Sequence, residues 1–333
     1  MTLPTTHQVV QLAAYDGASF TLVEKPVPKP EGKELLVKVL AAPINPSDVM
    51  FTRGLYGFKK PLPTVPGFEG SGVVVDAGNL IGKALIGRRV AFTHKETSDG
   101  TWAEYCLTDL TSCFPLTAGI SDEQGAMLIV NPLTAWGMCH IAAQENAAAI
   151  VHTAAASALG RFLCVLAEKK GLPVIHVVRR PEQRELLVKL GARHVLDSSD
   201  PGFDKALKSL AKELKATLAF DAVAGAMTGR LLEALPRDST IRVYGALSEE
   251  PVVLNPGQFI FSGKSVRGFY LSELFHPTTL PFLLKGALDV QHIVEAGFTT
   301  TVAARHPLSE AKEAVAAYLG DMTGGKVLLV PRR

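Results

Sequence analysis

Only four cysteines, Cys106, Cys113, Cys139 and Cys164, occur in 333 residues, and none has a partner at CxxC spacing. That scarcity excludes a disulfide scaffold and a clustered-cysteine metal lobe, and it predicts a reduced, cytoplasmic compartment. Excess charge of one sign is also missing. The 34 Lys and Arg against 32 Asp and Glu leave +2, with no basic run, so no nucleic-acid partner is expected. No apolar run approaches the roughly 18 residues that span a bilayer, so no membrane partner is expected. Met1-Thr-Leu-Pro4 lacks the basic start and apolar core of a secretory leader. A nucleophile elbow, a P-loop lysine motif, a paired-carboxylate pattern and internal repeats are all lacking.

What is present is organised around residues 148–161. Ile150-Val151 reads as a buried parallel strand, residues 153–157 as a small-residue turn, and residues 160–171 as an apolar-periodic helix stopped by Gly171. Val174-Ile-His-Val-Val178 reads as a second strand. Together they make a strand–turn–helix–strand unit of the size that a dinucleotide site needs. Backbone N–H groups and the positive dipole end of the helix suit a pyrophosphate, so Ala155, Ala156, Ser157, Ala158, Leu159 and Gly160 are the expected cradle. Of the usual three glycines only Gly160 is kept. Ala154 and Ser157 permit a close backbone approach provided that no position needs a positive φ, and a plain buried crossover stays open as an alternative.

The second strand ends in Arg179-Arg180, without the carboxylate that an NAD site places on the ribose 2′-OH. Two guanidiniums suit a 2′-phosphate, which makes NADPH the expected cofactor; two ordinary surface arginines are the alternative.

Residues 1–125 are rich in Gly and Pro, with strand-like segments at 34–42, 70–75, 87–92 and 100–106 and a long irregular loop over 43–70. From residue 126 the texture alternates. Helices are expected at 126–143, 160–171, 181–190, 204–214 and 309–319, and strands at 218–222, 240–244 and 326–330. The fold class is α/β with two domains.

Several motifs follow in order along nearly the whole chain: Asn45-Pro-Ser-Asp48, Gly54-Leu-Tyr-Gly57, Leu62-Pro-Thr-Val-Pro-Gly-Phe-Glu-Gly70 and Gly100-Thr-Trp-Ala-Glu-Tyr105. Val130-Asn-Pro-Leu-Thr-Ala-Trp136, the turn ending at Gly160, Leu190-Gly-Ala192, Phe220-Asp-Ala-Val-Ala-Gly225, Ser265-Val-Arg-Gly-Phe-Tyr-Leu271 and Gly324-Gly-Lys-Val-Leu-Leu329 continue the series. In this order they resemble the zinc-free medium-chain dehydrogenase/reductases, in the branch of quinone oxidoreductases and 2-enoyl thioester reductases. The resemblance implies a GroES-like β domain over 1–125 and 291–333, and a Rossmann domain with a doubly wound parallel sheet over 126–290. It also implies a homodimer, formed by strand 241–247 or strand 265–271 pairing across a two-fold axis.

Zinc-using alcohol dehydrogenases of this superfamily take a cysteine from the first loop, a histidine from Gly-His-Glu and a later cysteine. Here the loop is Asn45-Pro46-Ser47-Asp48 and the motif is Gly67-Phe68-Glu69. Phenylalanine cannot coordinate a metal, so none is expected. Reduction of a C=C bond conjugated to a carbonyl needs no Lewis acid: hydride adds to the β-carbon, hydrogen bonds hold the enolate, and a proton reaches the α-carbon. The expected substrate is a small enoyl thioester, an enone or a quinone. A nucleotide-binding protein without turnover is the alternative from another class.

Tyr56 resembles the catalytic tyrosine of the enoyl thioester reductases, with a water relay or a half-buried loop aromatic as alternatives. Asn45 orients a carboxamide or a substrate oxygen, or else caps its loop through an Asx turn. Asn131 and Thr134 resemble residues beside the nicotinamide, or else cap a helix. Tyr244, Gly245, Ala246, Phe269, Tyr270 and Leu271 follow two Rossmann strands and are expected to line the cofactor groove. Lys326 resembles a lysine near the cofactor ribose and phosphate; its alternative is a solvated surface charge. Trp136, His140, His152 and His176 read as structural.

Overall fold

The computed structural model describes residues 3–274 and 280–331. The chain divides into two compact units, residues 1–133 with 275–333 and residues 134–274. These breaks differ from the expected 125/126 and 290/291. Helix Leu280–Glu295 is tied to the first unit, because Gln291 Oε1 accepts the Thr117 N–H at 2.9 Å and its Nε2 donates to Pro115 O at 3.2 Å.

The first unit is built on strand Glu34–Pro43, in which Leu35, Leu36, Val37, Val39, Ala41 and Ala42 are buried, on both faces. It lies within a seven-stranded sheet that runs Val302–His306, Lys326–Leu329, Glu34–Pro43, Glu69–Ala77, Arg89–Thr93 and Cys113–Pro115, with Tyr105–Asp109 also pairing with Glu34–Pro43. The antiparallel register Leu328↔Pro43 and the bond from Ile44 N–H to Val327 O (2.9 Å) carry Lys326 to Ile44-Asn45.

Three expectations in this unit need correction. The loop over 43–70 contains a helix, Pro46–Thr52: Asn45 caps it, Pro46 takes the first position, and Asp48 Oδ2 accepts the Asn45 N–H at 2.8 Å. The strand expected at 100–106 begins only at Tyr105, because the N–H groups of Gly100, Thr101 and Trp102 go to carbonyls of Val65, Gly67 and Pro66. The helix expected over 126–143 is broken into Asp122–Ala126, a π-turn at Ile129–Leu133 and Thr134–Gln144. Pro132 has no N–H to give, and the Ile129 and Val130 N–H groups are taken by Glu69 Oε2, at 3.0 and 2.8 Å.

The second unit is a parallel sheet in the order His194–Asp197, Val174–Val178, Ala149–His152, Ala216–Asp221, Thr240–Val243, Ser265–Gly268. Order reverses at Ala149–His152, the switch point beyond which ligands bind in doubly wound sheets. Thr240–Val243 is paired on both sides, so the expected dimer contact through 241–247 is corrected: its backbone has no free edge there. Ser265–Gly268 is the outer strand. Among the described residues no helix is long and apolar enough to cross a membrane.

Candidate active site

In the first unit Asn45, Asp48 and Glu69 are fully buried and Lys326 is 3% exposed. Asn45 Nδ2 donates to Glu69 Oε1 at 2.9 Å, while Asn45 Oδ1 accepts from Asn131 Nδ2 at 3.1 Å and from the Lys326 ammonium. Lys326 also faces the ring of Tyr318, 5.7 Å from its centroid. Asp48 bridges two elements, its Oδ1 accepting the Phe68 N–H at 3.0 Å.

Burial pushes the Asp48 carboxyl up to about 7, with the Glu69 charge adding to the effect. Burial likewise raises Glu69, opposed by the Lys326 charge. Lys326 is pulled down to about 8 by burial, against the attraction of Glu69 and Asp48. Three N–H donors converge on Glu69, the arrangement that holds an ionised carboxylate.

Lys326 is therefore no solvated charge. It lies in the first unit, with its ammonium against Asn45. The reason is the strand register, which turns its side chain inward toward Asn45.

Tyr56 lies in an aromatic group around Phe68, the residue whose N–H Asp48 accepts. Its ring lies 4.7 Å from that of Phe68, tilted by 34°, and 5.3 Å from Phe58. Phe51 and His94 complete the surroundings of Phe68, at 5.6 and 5.5 Å. Burial, with Lys60 nearby, lowers His94 to about 3, so it is neutral.

In the second unit the expected cradle forms a capped turn. Ser157 Oγ accepts the Gly160 N–H at 3.1 Å and starts helix Ala158–Lys170, which Gly171 ends with φ 65°. A Cβ on Gly160 would lie 2.2 Å from Ala155 O, so the helix can sit this close only with glycine there. Ala155 and Ala156 are buried, and the turn is pinned by Ala155 N–H to Val177 O at 3.1 Å.

The condition that no turn position needs a positive φ does not hold, since Ala154 has φ 49°. The left-handed region costs an L-residue about 1–2 kcal/mol, part of which glycine gives back as chain entropy. Ala154→Gly is expected to stabilise this unit by about 1 kcal/mol in urea unfolding, and a destabilised variant contradicts the strain.

Beneath the turn Thr153 Oγ1 donates to Asp221 Oδ1 at 2.7 Å and accepts the Ala222 N–H at 2.8 Å, joining the ends of two central strands. Tyr244 Oη lies 2.7 Å from His152 Nε2, and burial lowers His152 to about 3. A Cβ on Gly245 would come 2.8 Å from Ala222 O, and Ala246 is exposed.

Arg179 and Arg180 are both exposed at the end of Val174–Val178, Arg180 as the cap residue of helix Pro181–Lys189. Phe269 is buried against Phe220 at 5.9 Å, Tyr270 is exposed and Leu271 half-buried. Thr134 opens helix Thr134–Gln144 and is buried, as is Trp136, which stacks on His140 at 6.0 Å.

Sequence reasoning assigned no role to Glu69, Asp48 or the His152–Tyr244 pair. Asp48 was legible as the acid three residues after an Asn-Pro helix start. For Glu69 the signal was a charged residue at the start of a strand whose centre, Val73–Val75, is apolar.

Two family models match the chain: alcohol dehydrogenase GroES-like domain over residues 31–156, and zinc-binding dehydrogenase over residues 158–285. The chain is 30% identical over 305 residues to the mitochondrial enoyl-[acyl-carrier-protein] reductase of Homo sapiens, covering 90% of this chain and 81% of that protein. The Arabidopsis thaliana protein of the same name is 32% identical over 258 residues, 76% of this chain and 68% of its own length. A crystal structure of a provisionally assigned NADPH:quinone reductase from Mesorhizobium loti is similar at a TM-score of 0.90 and 36% identity, over 99% of this chain and 100% of that one.

Proposed function

Because the chain belongs to the medium-chain dehydrogenase/reductase family, in its enoyl reductase and quinone oxidoreductase branch, we propose that it reduces the activated C=C bond of a 2-enoyl thioester or α,β-unsaturated carbonyl with NADPH. One observation carries the choice of reaction: the phenol ring of Tyr56 lies on Phe68, the residue at the histidine position of Gly-His-Glu. A hydroxyl acid is therefore offered where metal-using members offer a ligand.

The residues do not fit a catalytic zinc. Phe68 has no donor atom, and the Asn45 amide is taken up by Glu69, Asn131 and an ammonium. No step is assigned to a metal.

NADPH, when bound, supplies the hydride that adds to the β-carbon. The first turn of helix Ala158–Lys170 holds backbone N–H groups toward the pyrophosphate. Arg179 and Arg180 would hold the 2′-phosphate, and Tyr244, Gly245, Ala246, Phe269, Tyr270, Leu271 and Thr134 would line the groove that orients the coenzyme. Tyr56 Oη gives its proton to the α-carbon of the enolate and regains it from solvent. Asn131 sets the polar wall beside the reacting carbons, and the buried Asn45 holds its amide from behind.

Assembly is proposed as a homodimer through the outer strand Ser265–Gly268. Four buried free thiols favour a reducing compartment such as the cytoplasm. A second reading, NADPH:quinone reduction, is favoured by the Mesorhizobium loti similarity, and there Tyr56 matters less.

The coenzyme assignment is tested by the double substitution Arg179→Ala and Arg180→Ala, read by NADPH fluorescence. NADPH is expected to bind about 10–100-fold more weakly, the worth of one or two charge-assisted hydrogen bonds, with NADH unchanged. An equal loss for both coenzymes overturns the assignment.

A further inference from the structure

Lys326 is a buried cation that the proposed reaction does not use, and it touches Asn45, which in turn holds Asn131. The orientation of an asparagine amide is set by its partners. Asn45 has a carboxylate on one side, Glu69 Oε1 at 2.9 Å, and the Lys326 ammonium on the other. An ammonium only donates and an ionised carboxylate only accepts, so the Asn45 oxygen must face Lys326 and its nitrogen must face Glu69. Asn45 Oδ1 then admits only a donor from Asn131, whose Nδ2 approaches it at 3.1 Å. Asn45 is fully buried and Asn131 half-buried. With its nitrogen committed inward, Asn131 turns its carbonyl oxygen to the side away from Asn45.

We propose that Lys326 is a positioning residue that acts through Asn45 to fix the Asn131 amide, so that Asn131 Oδ1 accepts a hydrogen bond from a carboxamide N–H of the bound reactants. This rests on the reading of the chain as an NADPH-dependent reductase. Two reactants carry such a group, the nicotinamide carboxamide and the pantetheine amides of a coenzyme A thioester. The Asp48 and Glu69 carboxylates and the Tyr318 ring also face Lys326. The ammonium on one side and the Glu69 carboxylate on the other together exclude the flipped amide.

Lys326→Met and Lys326→Arg test the assignment. Selective ¹⁵N-asparagine labelling of the side-chain amides reads the relay without any turnover: in Lys326→Met the slowly exchanging Asn131 amide is expected to become fast, and in Lys326→Arg to stay slow. An Asn131 amide unchanged in Lys326→Met overturns the proposal, even if the wild-type protein reduces nothing.

Two binding arms then separate the sources of the N–H. NADPH is compared with its 3-acetylpyridine analogue, which lacks the carboxamide N–H, and crotonyl-CoA with 2-cyclohexenone. The wild type is expected to prefer the N–H bearer by about tenfold in one arm, as one hydrogen bond gives, and Lys326→Met to lose that preference there. Preferences retained in both arms overturn the proposal. A wild type that binds no NADPH instead overturns the function proposed above, and the amide exchange then decides the relay alone.

Discussion

Tyr56→Phe is expected to slow reduction of an enoyl thioester by about 10²–10⁴-fold, with NADPH affinity unchanged. The substitution removes only Oη. The ring that packs 4.7 Å from Phe68 and 5.3 Å from Phe58 is kept, so the aromatic packing is preserved. What is lost is the acid that protonates the α-carbon. Carbon protonation needs a placed donor, whereas the oxygens of a reduced quinone take protons readily from water. The same variant should therefore reduce 1,4-benzoquinone at close to the wild-type rate. Single-turnover rates with crotonyl-CoA and benzoquinone, measured side by side, read this contrast. A thioester rate within about threefold of wild type removes Tyr56 as the proton donor.

Glu69→Ala is expected to be the most damaging single substitution for stability, at about 3–5 kcal/mol, the usual cost of removing one partner of a buried charge pair. Three donors lose their acceptor: the N–H groups of Ile129 and Val130 and the Asn45 side-chain amide. The Lys326 ammonium also loses its counter-charge in a volume that is 3% exposed at most.

That loss is a large part of the ~5–15 kcal/mol that holds a domain folded, so the transition of the first unit should fall by roughly 10 °C. The π-turn that ends the expected helix early is held by the same carboxylate, and local exchange at Ile129–Leu133 should rise with it. Combining Glu69→Gln with Lys326→Met removes both charges and should cost less than the sum of the single changes, by about 1–3 kcal/mol. Additive effects in calorimetry contradict the pairing.

Much of the fold was legible because local signals agreed with it. The strand–turn–helix–strand unit around Gly160 has an apolar strand, a serine cap and a glycine stop, and all three do in the structure what their types suggest. The helix Pro46–Thr52 was hidden by its neighbours: the Gly and Pro residues that follow made the whole stretch read as loop, although Asn45, Pro46 and Asp48 spell a helix start. The break at Ile129–Leu133 was only half visible. Pro132 is in the sequence, but the carboxylate that takes two N–H groups comes from a residue about sixty positions earlier.

The burial of Lys326 was hidden for the same reason. Between Gly325 and Val327 a lysine looks exposed, and only the pairing of Leu328 with Pro43 turns it toward Asn45. Long-range register, and not residue type, decides such cases.

Steady-state NADPH oxidation with crotonyl-CoA, 2-cyclohexenone and 1,4-benzoquinone as alternative acceptors, with NADH as control, tests the proposed reaction most directly. Turnover of the thioester or the enone, a strong preference for NADPH, and loss of that preference when Arg179 and Arg180 are replaced are expected. Reduction of benzoquinone alone would move the protein to the quinone reading, and NADPH binding without oxidation by any of the three acceptors would contradict the assignment as a reductase of activated double bonds.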